Sequence, residues 1–368
     1  MEVIPLYPLA AVIFLAAGAL FVLQMARHLR VFAVAQPSVV GDHPRQRFDA
    51  FVRFALLQAR VLKDPIPGVM HAIIFWGFVI LAIGTIDRIF FGAVEALIGD
   101  LLGGWVWRLF LLAQNVVMVA VLVAVAVALY RRIVVRPARL TLSRDGLLIL
   151  LLIGGVVLTE LFAEAFRLAR VGDPDAAWAF AANLLAAPLS GLSDEALATG
   201  YSLAFWSNVA LISFFLAYLP RSKHLHIATA AFNTAFRKLQ PQGQLPAMDL
   251  ETETETETFG VRSIADLGWK DLLDGFTCTE CGRCLDACPA AATGKPLNPK
   301  AMIMGLRELS VEAEADVPLV PWIRPAAERD PTAIAARARE HDIVDSALPY
   351  EAGWDLSLIH ISEPTRRN

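Results

Sequence analysis

Five long apolar stretches constrain this chain before any other feature does. They run from Pro8 to Ala26, Gly68 to Ile86, Leu109 to Tyr130, Gly146 to Phe162 and Tyr201 to Leu219. A helix needs about 20 apolar residues to cross a bilayer, and a helix satisfies its own backbone N–H and C=O groups where no water reaches. Each stretch reaches or approaches that length, and the composition agrees: 56% of the 368 residues are hydrophobic and only 18% are charged. A water-soluble globule is therefore excluded as the organising plan. The expected class is mainly α, with a five-helix transmembrane bundle as its larger part.

The basic residues orient the bundle. Arg27, Arg30, Arg45, Arg47, Arg53, Arg60 and Lys63 lie between the first and second stretches, and Arg131, Arg132, Arg136, Arg139 and Arg144 between the third and fourth. Short loops rich in Lys and Arg stay in the cytoplasm. The opposite loops carry Arg88, Arg108, Arg167 and Arg170 beside Asp173, Asp175, Asp194 and Glu195. The expected protein is thus multi-pass in a bacterial inner membrane, with its N-terminus outside and its C-terminus in the cytoplasm. Glu2 is the only charge before the first stretch, so that stretch reads as a retained span rather than a cleaved signal. The net charge of -4 gives no reason to expect a nucleic-acid partner.

Between the spans, Gln46 to Lys63 approaches helical period and reads as an interfacial helix. Ala93 to Val106 is short and broken by Gly103 and Gly104, which suits a re-entrant or surface segment. Ala176 to Leu197 reads as short amphipathic helices lying on the bilayer. Residues 1–239 thus form the membrane domain, and 240–258 a linker containing the run ETETETET, which cannot bury a core. Residues 259–355 form a small soluble domain. Its expected helices are Ile264 to Gly275, Lys300 to Leu309 with Asn298 and Pro299 as cap and first residue, and Thr332 to His341. Leu356 to Arg366 reads LSLIHISEPTR, which looks like the translation of a sequencing adapter, so 356–368 is set apart from the fold and the natural frame is expected to diverge near Asp355.

The chemistry of the soluble domain is carried by cysteine. Cys278, Cys281, Cys284 and Cys288 stand in CTECGRCLDACP and are the only cysteines in the chain. Such short gaps do not suit disulfides between all four, and structural zinc sites usually pair two knuckles across a longer loop. The spacing, with Pro289 following, suits a [4Fe-4S] cluster, against a zinc or bare redox-thiol site as the alternative. In two-cluster ferredoxins the fourth cysteine of this run serves the other cluster. No second run follows here, so Cys288 either completes the first cube or belongs to a second one.

Among the seven histidines, His71 stands at the cytoplasmic start of the second span, where an ionisable group suggests a functional site. His224 and His226 follow the fifth span in SKHLHI. Imidazoles from two helices at one depth are the axial pair that a b-type haem needs, with His226 preferred over His224 as the partner of His71.

The five spans, with His71 early in the second and SKHLHI after the fifth, resemble the gamma, cytochrome b subunit of respiratory nitrate reductases. That resemblance implies one haem b between His71 and His226. The family's second haem would need histidines where this chain has Leu81 and Asn208, so one haem is expected. The run CTECGRCLDACPAAATGKPLNPKAMI resembles heterodisulfide-reductase-related iron–sulfur oxidoreductases, whose membrane-fused members join such a cytochrome b domain to two [4Fe-4S] motifs. The resemblance implies a ferredoxin-type α-helical domain, two clusters in a full-length protein, and electron exchange with menaquinone or ubiquinone. In some relatives the soluble partner is electron-transfer flavoprotein.

No side chain stands out as a general base or nucleophile, so the expected function is electron transfer between a cytoplasmic donor and the quinone pool. The alternatives are a heterodisulfide or thiol reductase subunit, and a non-enzymatic membrane anchor or redox-sensing scaffold. Glu160 and Glu164, four apart near the outer end of the fourth span, are weaker candidates for passing protons from a quinol.

Overall fold

The computed structural model describes residues 7–38, 41–89, 94, 96–97, 104–239, 261, 263–295 and 297–313. The expected linker 240–258, the expected helix from Thr332 to His341 and the tail 356–368 lie outside the described residues. The long helices are α1 (Tyr7–Arg30), α3 (Pro65–Ile89), α4 (Gly104–Tyr130), α5 (Arg144–Val171) and α7 (Asp194–Tyr218). Shorter ones are α2 (Pro44–Ala50), α6 (Phe180–Leu189), α8 (His226–Ala235), α9 (Trp269–Thr277), α10 (Arg283–Asp286), α11 (Pro289–Ala292) and α12 (Pro299–Ala313). No strand occurs among the described residues, apart from a single parallel bridge between Gln36 and Gly268.

Five helices among the described residues are long and apolar enough to cross a membrane: Pro8–Ala33, Pro65–Asp87, Gly104–Val135, Arg144–Val171 and Asp194–Arg221. Each is longer than the apolar stretch that predicts it, because the hydrogen-bond ladder continues into polar ends that hydropathy does not register. Ser143 and Ser193 cap α5 and α7, accepting from Gly146 N and Ala196 N at 3.3 Å each. Gly172, at φ 72, closes α5 in a conformation that favours glycine.

The chain divides into two compact units, of which the first takes residues 1–21, 58–137 and 142–219. Its core runs through Met118, Val121 and Val125 of α4 and Leu150, Val157 and Leu161 of α5. Some buried polar groups there tie one element to another. Asn115 accepts from Ala181 N at 3.2 Å and Ala182 N at 3.3 Å, and so caps the start of α6. Tyr218 donates to Asp145 at 2.6 Å and ties the end of α7 to the start of α5. Large apolar side chains such as Phe78, Leu151, Phe162 and Leu203 stay exposed on the long helices, as lipid-facing positions do.

Two expectations between the spans change. Helix α6 does not lie free on a surface: Ala181, Ala182 and Ala186 pack into the core, small residues that let it approach α4 and α5 closely. The helix expected from Gln46 to Lys63 ends at Leu56, and Gln58 turns left-handed at φ 51. The segment expected from Ala93 is described only in part, and Gly104 to Val106 begin α4.

The second unit takes residues 22–57, 138–141 and 220–368. Val31, Val34, Leu225, Ile264, Leu272, Phe276 and Leu309 form one core there, so the end of α1, the segment after α7 and the cysteine-bearing helices fold together. Gln36 fastens this junction: its N–H donates to Leu267 O at 2.7 Å, its carbonyl accepts from Trp269 N at 3.1 Å, and its side-chain amide donates to Ala265 O at 2.8 Å. The helix expected from Ile264 to Gly275 is split into a turn at Ile264–Asp266 and α9, with Asp271 accepting from Gly268 N at 3.3 Å. Helix α12 starts as expected at Pro299, where Asn298 accepts from Ala301 N at 3.1 Å, and it runs on to Ala313.

Candidate functional site

The cysteine loop is built outward from α9. Leu272, Leu273 and Phe276 bury one face of that helix, which delivers Cys278 as its last cap residue. Thr277 donates back to Leu273 O at 2.7 Å and ends the ladder. The loop then makes two left-handed turns, at Glu280 (φ 58) and Gly282 (φ 75). At Gly282 two requirements coincide. Its φ favours glycine, and a Cβ there would stand 2.2 Å from Arg139 O. Arg139 also donates to Asp286 at 2.9 Å, and Lys300 donates to Arg139 O and Thr141 Oγ1 at 3.1 Å each. The short segment 138–141 thus clamps the loop from one side.

Glu280 anchors it from the other. Its Oε2 accepts from Lys223 Nζ at 2.9 Å and its Oε1 from Arg307 Nη2 at 2.7 Å, while Arg307 Nη1 donates to Cys278 O at 3.2 Å. The side chains of Lys223 and Glu280 are only 7% and 8% exposed. Burial would raise the Glu280 carboxyl, but the bonds from Arg307 and Lys223 outweigh it and hold it below the ordinary carboxylate value. This triad joins SKHLHI, the cysteine loop and α12. No sequence pattern announces it, since its members lie far apart along the chain.

Cys278 and Cys288 are half-buried, and Cys281 and Cys284 are exposed. Burial pushes the Cys278 thiol up, and the neighbouring Cys281 and Cys284 add to that against the opposing Arg307. A cation bound beside Cys278 would favour its thiolate. Among the described residues no three His, Cys, Asp or Glu side chains converge as a preformed metal site. The donor set still fits an iron–sulfur cluster: four sulfurs within one short segment, with Arg307 donating to the carbonyl of the first.

His71 lies in the first unit, and His224 and His226 in the second. His71 Nδ1 meets Gln58 Oε1 at 3.0 Å, and His226 Nδ1 meets Lys223 O at 3.0 Å. An oxygen acceptor at Nδ1 calls for the proton there and leaves Nε2 with the lone pair, which is the arrangement a metal-ligating imidazole takes. Burial holds His226 below the ordinary imidazole value, against the opposing bond to Lys223 O. The rings of His224 and His226 lie 5.2 Å apart in an edge-on arrangement. Gly68 shapes the turn that carries Gln58 toward His71, because a Cβ there would stand 2.5 Å from Val61 O.

Other sequence candidates have structural partners. Asn208 is buried and donates to Val156 O at 2.9 Å and Thr159 Oγ1 at 3.0 Å, linking α7 to α5, while Leu81 packs against the core. Glu164 accepts from Arg167 at 2.7 Å, and Arg167 also holds Asp173 at 2.8 Å, so Glu164 is committed to an ion-pair network, while Glu160 is buried. His28, which its sequence context does not single out, donates from Nε2 to Pro220 O at 2.9 Å and packs on Phe276, two residues before the first cysteine.

No family model and no solved structure matches the chain. Three curated proteins do. The chain is 32% identical over 312 residues to the "Probable iron-sulfur-binding oxidoreductase FadF" of Bacillus subtilis, covering 84% of this chain and 44% of that protein. It is 31% identical over 369 aligned positions to the "EtfAB:quinone oxidoreductase" of Syntrophomonas wolfei, covering 95% of this chain and 48% of that protein. A stretch of 62 residues is 42% identical to the "Probable membrane-anchored ferredoxin" of Chromohalobacter salexigens, covering 17% of this chain and 9% of that protein. The chain spans about half the length of the first two relatives. Along most of its own length it is therefore similar to two bacterial oxidoreductases, one of them named for iron–sulfur binding and the other for a quinone.

Proposed function

We propose that this chain is the membrane-embedded electron-transfer part of an iron–sulfur oxidoreductase, exchanging electrons between a soluble donor such as electron-transfer flavoprotein and a menaquinone or ubiquinone in the bilayer. The observation that carries the reading is the cysteine segment: four sulfurs between Cys278 and Cys288, held between the 138–141 clamp and the Lys223–Glu280–Arg307 triad. Cys278, Cys281 and Cys284, with Cys288 as fourth ligand or as ligand of a second cluster, would hold a [4Fe-4S] group that supplies one-electron transfer when bound. Arg307 and Lys223 bring positive charge beside a group that becomes more negative on reduction, and the triad keeps that charge from moving away. His71 and His226, with His224 as the competing second imidazole, are proposed to hold one haem b. The Nδ1 contacts of His71 and His226 support that role by orienting each Nε2.

The proposed location is the bacterial cytoplasmic membrane, with the N-terminus outside and the cysteine unit in the cytoplasm. Segments 22–57 and 138–141 belong to the same compact unit as the cysteines and carry Arg27, Arg30, Arg45, Arg47, Arg53 and Arg139. The positive-inside rule assigns those segments to the cytoplasm, and the cysteines follow them.

The likeness of 62 residues to a membrane-anchored ferredoxin favours one second reading, a membrane-tethered redox module without a quinone reaction of its own. A heterodisulfide or thiol reductase would instead require a substrate site supplied by further sequence. Anaerobically purified protein separates the readings. Iron and acid-labile sulfide together with a b-type absorption band that disappears in His71→Ala support the proposal. Iron and sulfide without that band leave the tethered module, and zinc in place of iron removes both.

A further inference from the structure

Within the second unit, Arg47 joins two surface elements: it donates to Ala235 O and Arg237 O at 3.1 Å each and pairs with Asp42. One element is α2 with the turn Phe51–Leu56 that continues it, and the other is α8 with the residues after it. At their junction two guanidinium groups share one phenyl ring. Arg53 Cζ lies 5.8 Å and Arg237 Cζ 5.3 Å from the centre of Phe54. Neither arginine meets a carboxylate among the described residues, and Arg237 Nε is buried with no hydrogen-bond acceptor there. The carboxylate of Asp42, two residues before the element that carries Arg53, is already taken by Arg47. Two like charges on one ring with an unmatched buried donor call for an anion.

The same two elements expose large apolar side chains: Phe48 at 67%, Leu57 at 62% and Phe232 at 60%. A soluble anion would have no use for these, whereas a lipid has both a phosphate and an acyl chain. We propose that Arg53 and Arg237 bind the phosphate of an anionic phospholipid, with Phe48, Leu57 and Phe232 entering the acyl boundary beside it. Charge complementarity and the membrane-spanning helices of the same chain commit the site to the bilayer rather than to a free phosphate. The site fixes the second unit against the membrane surface and does not depend on which cofactors the cysteines and histidines hold.

The test uses the full chain, purified in detergent, delipidated and placed in nanodiscs of phosphatidylcholine with or without phosphatidylglycerol. Bound phosphatidylglycerol is counted by native mass spectrometry. An arginine at an anionic surface contributes about fivefold in affinity, so the double variant R53Q/R237Q should lose roughly 25-fold. The double variant R53K/R237K, which keeps both charges, should retain most of the binding, and R136Q, an exposed arginine elsewhere, should bind as wild type. Equal retention of phosphatidylcholine and phosphatidylglycerol overturns the proposal. So does full displacement of phosphatidylglycerol by millimolar inorganic phosphate, which would make the site one for a soluble anion.

Discussion

Replacing Glu280 by glutamine tests the triad in a way that separates it from the cysteines. The change is isosteric and keeps one carbonyl acceptor, but it removes the charge that two cations share at 2.9 and 2.7 Å. Lys223, 7% exposed, would then lose the charge of Glu280, and Arg307, 20% exposed, would lose it too while keeping its bond to Cys278 O. Removing one partner of a buried pair costs about 3–5 kcal/mol, because the surviving charge stays desolvated. The remaining amide oxygen offsets part of that, which leaves a cost of roughly 3 kcal/mol. The loss falls on the opening of the cysteine loop, so amide exchange across 278–282 should accelerate by about two orders of magnitude. Hydrogen exchange read by mass spectrometry on the full chain measures this, with α4 peptides as internal reference. The double variant K223Q/E280Q should lose less than the sum of its single variants, with a coupling of about 1–3 kcal/mol. Exchange unchanged in E280Q, or strict additivity in the double variant, would refute the claim that the triad holds the loop.

Further predictions follow the same logic. Gly282→Ala forces a Cβ to 2.2 Å from Arg139 O at φ 75, so iron incorporation should fall well below wild type while α9 keeps its helical signal; normal loading would mean the loop tolerates a shift away from 138–141. Gln58→Leu removes the acceptor at His71 Nδ1 and should lower haem affinity by about 10–100-fold, read as b-band absorbance per protein, and Gly68→Ala should act in the same direction by displacing the turn that carries Gln58. Burial would raise Asp173, but the bond from Arg167 and that from Asp175 N hold its pKa below the ordinary value. Its contribution is therefore complete above the unfolded value of about 3.9 and is lost as pH falls through the lower folded value. Exchange across 172–179 should accordingly be flat from pH 7 to 5, after correction for intrinsic rates, and rise only in stronger acid; a rise near neutrality would contradict the pairing.

The sequence carried the parts of this molecule that hydropathy and spacing encode. The long helices were legible because each needs an unbroken apolar run, and the start at Asn298 and Pro299 because a cap has local chemistry. Contacts between distant segments were not legible. Nothing local distinguishes Glu280 from any surface glutamate until Lys223 and Arg307 converge on it. Likewise the core shared by Val31, Leu225, Ile264 and Leu309 cannot be read from a chain whose composition changes near residue 240. The break at Gln58 was hidden because glutamine is an ordinary helix former, and its contact with His71 joins residues that local pattern does not connect. For α6, an alanine-rich face reads the same whether it meets lipid or other helices.

The proposed function requires that this chain carry an iron–sulfur cluster able to exchange electrons with a quinone. Electron paramagnetic resonance of the full chain, purified anaerobically in membranes and reduced with dithionite, addresses it most directly. The expected result is a reduced-cluster signal that is absent in Cys281→Ser and collapses when a soluble menaquinone analogue is added. A silent wild-type spectrum, or a reduced signal indifferent to the quinone, would overturn the proposed function.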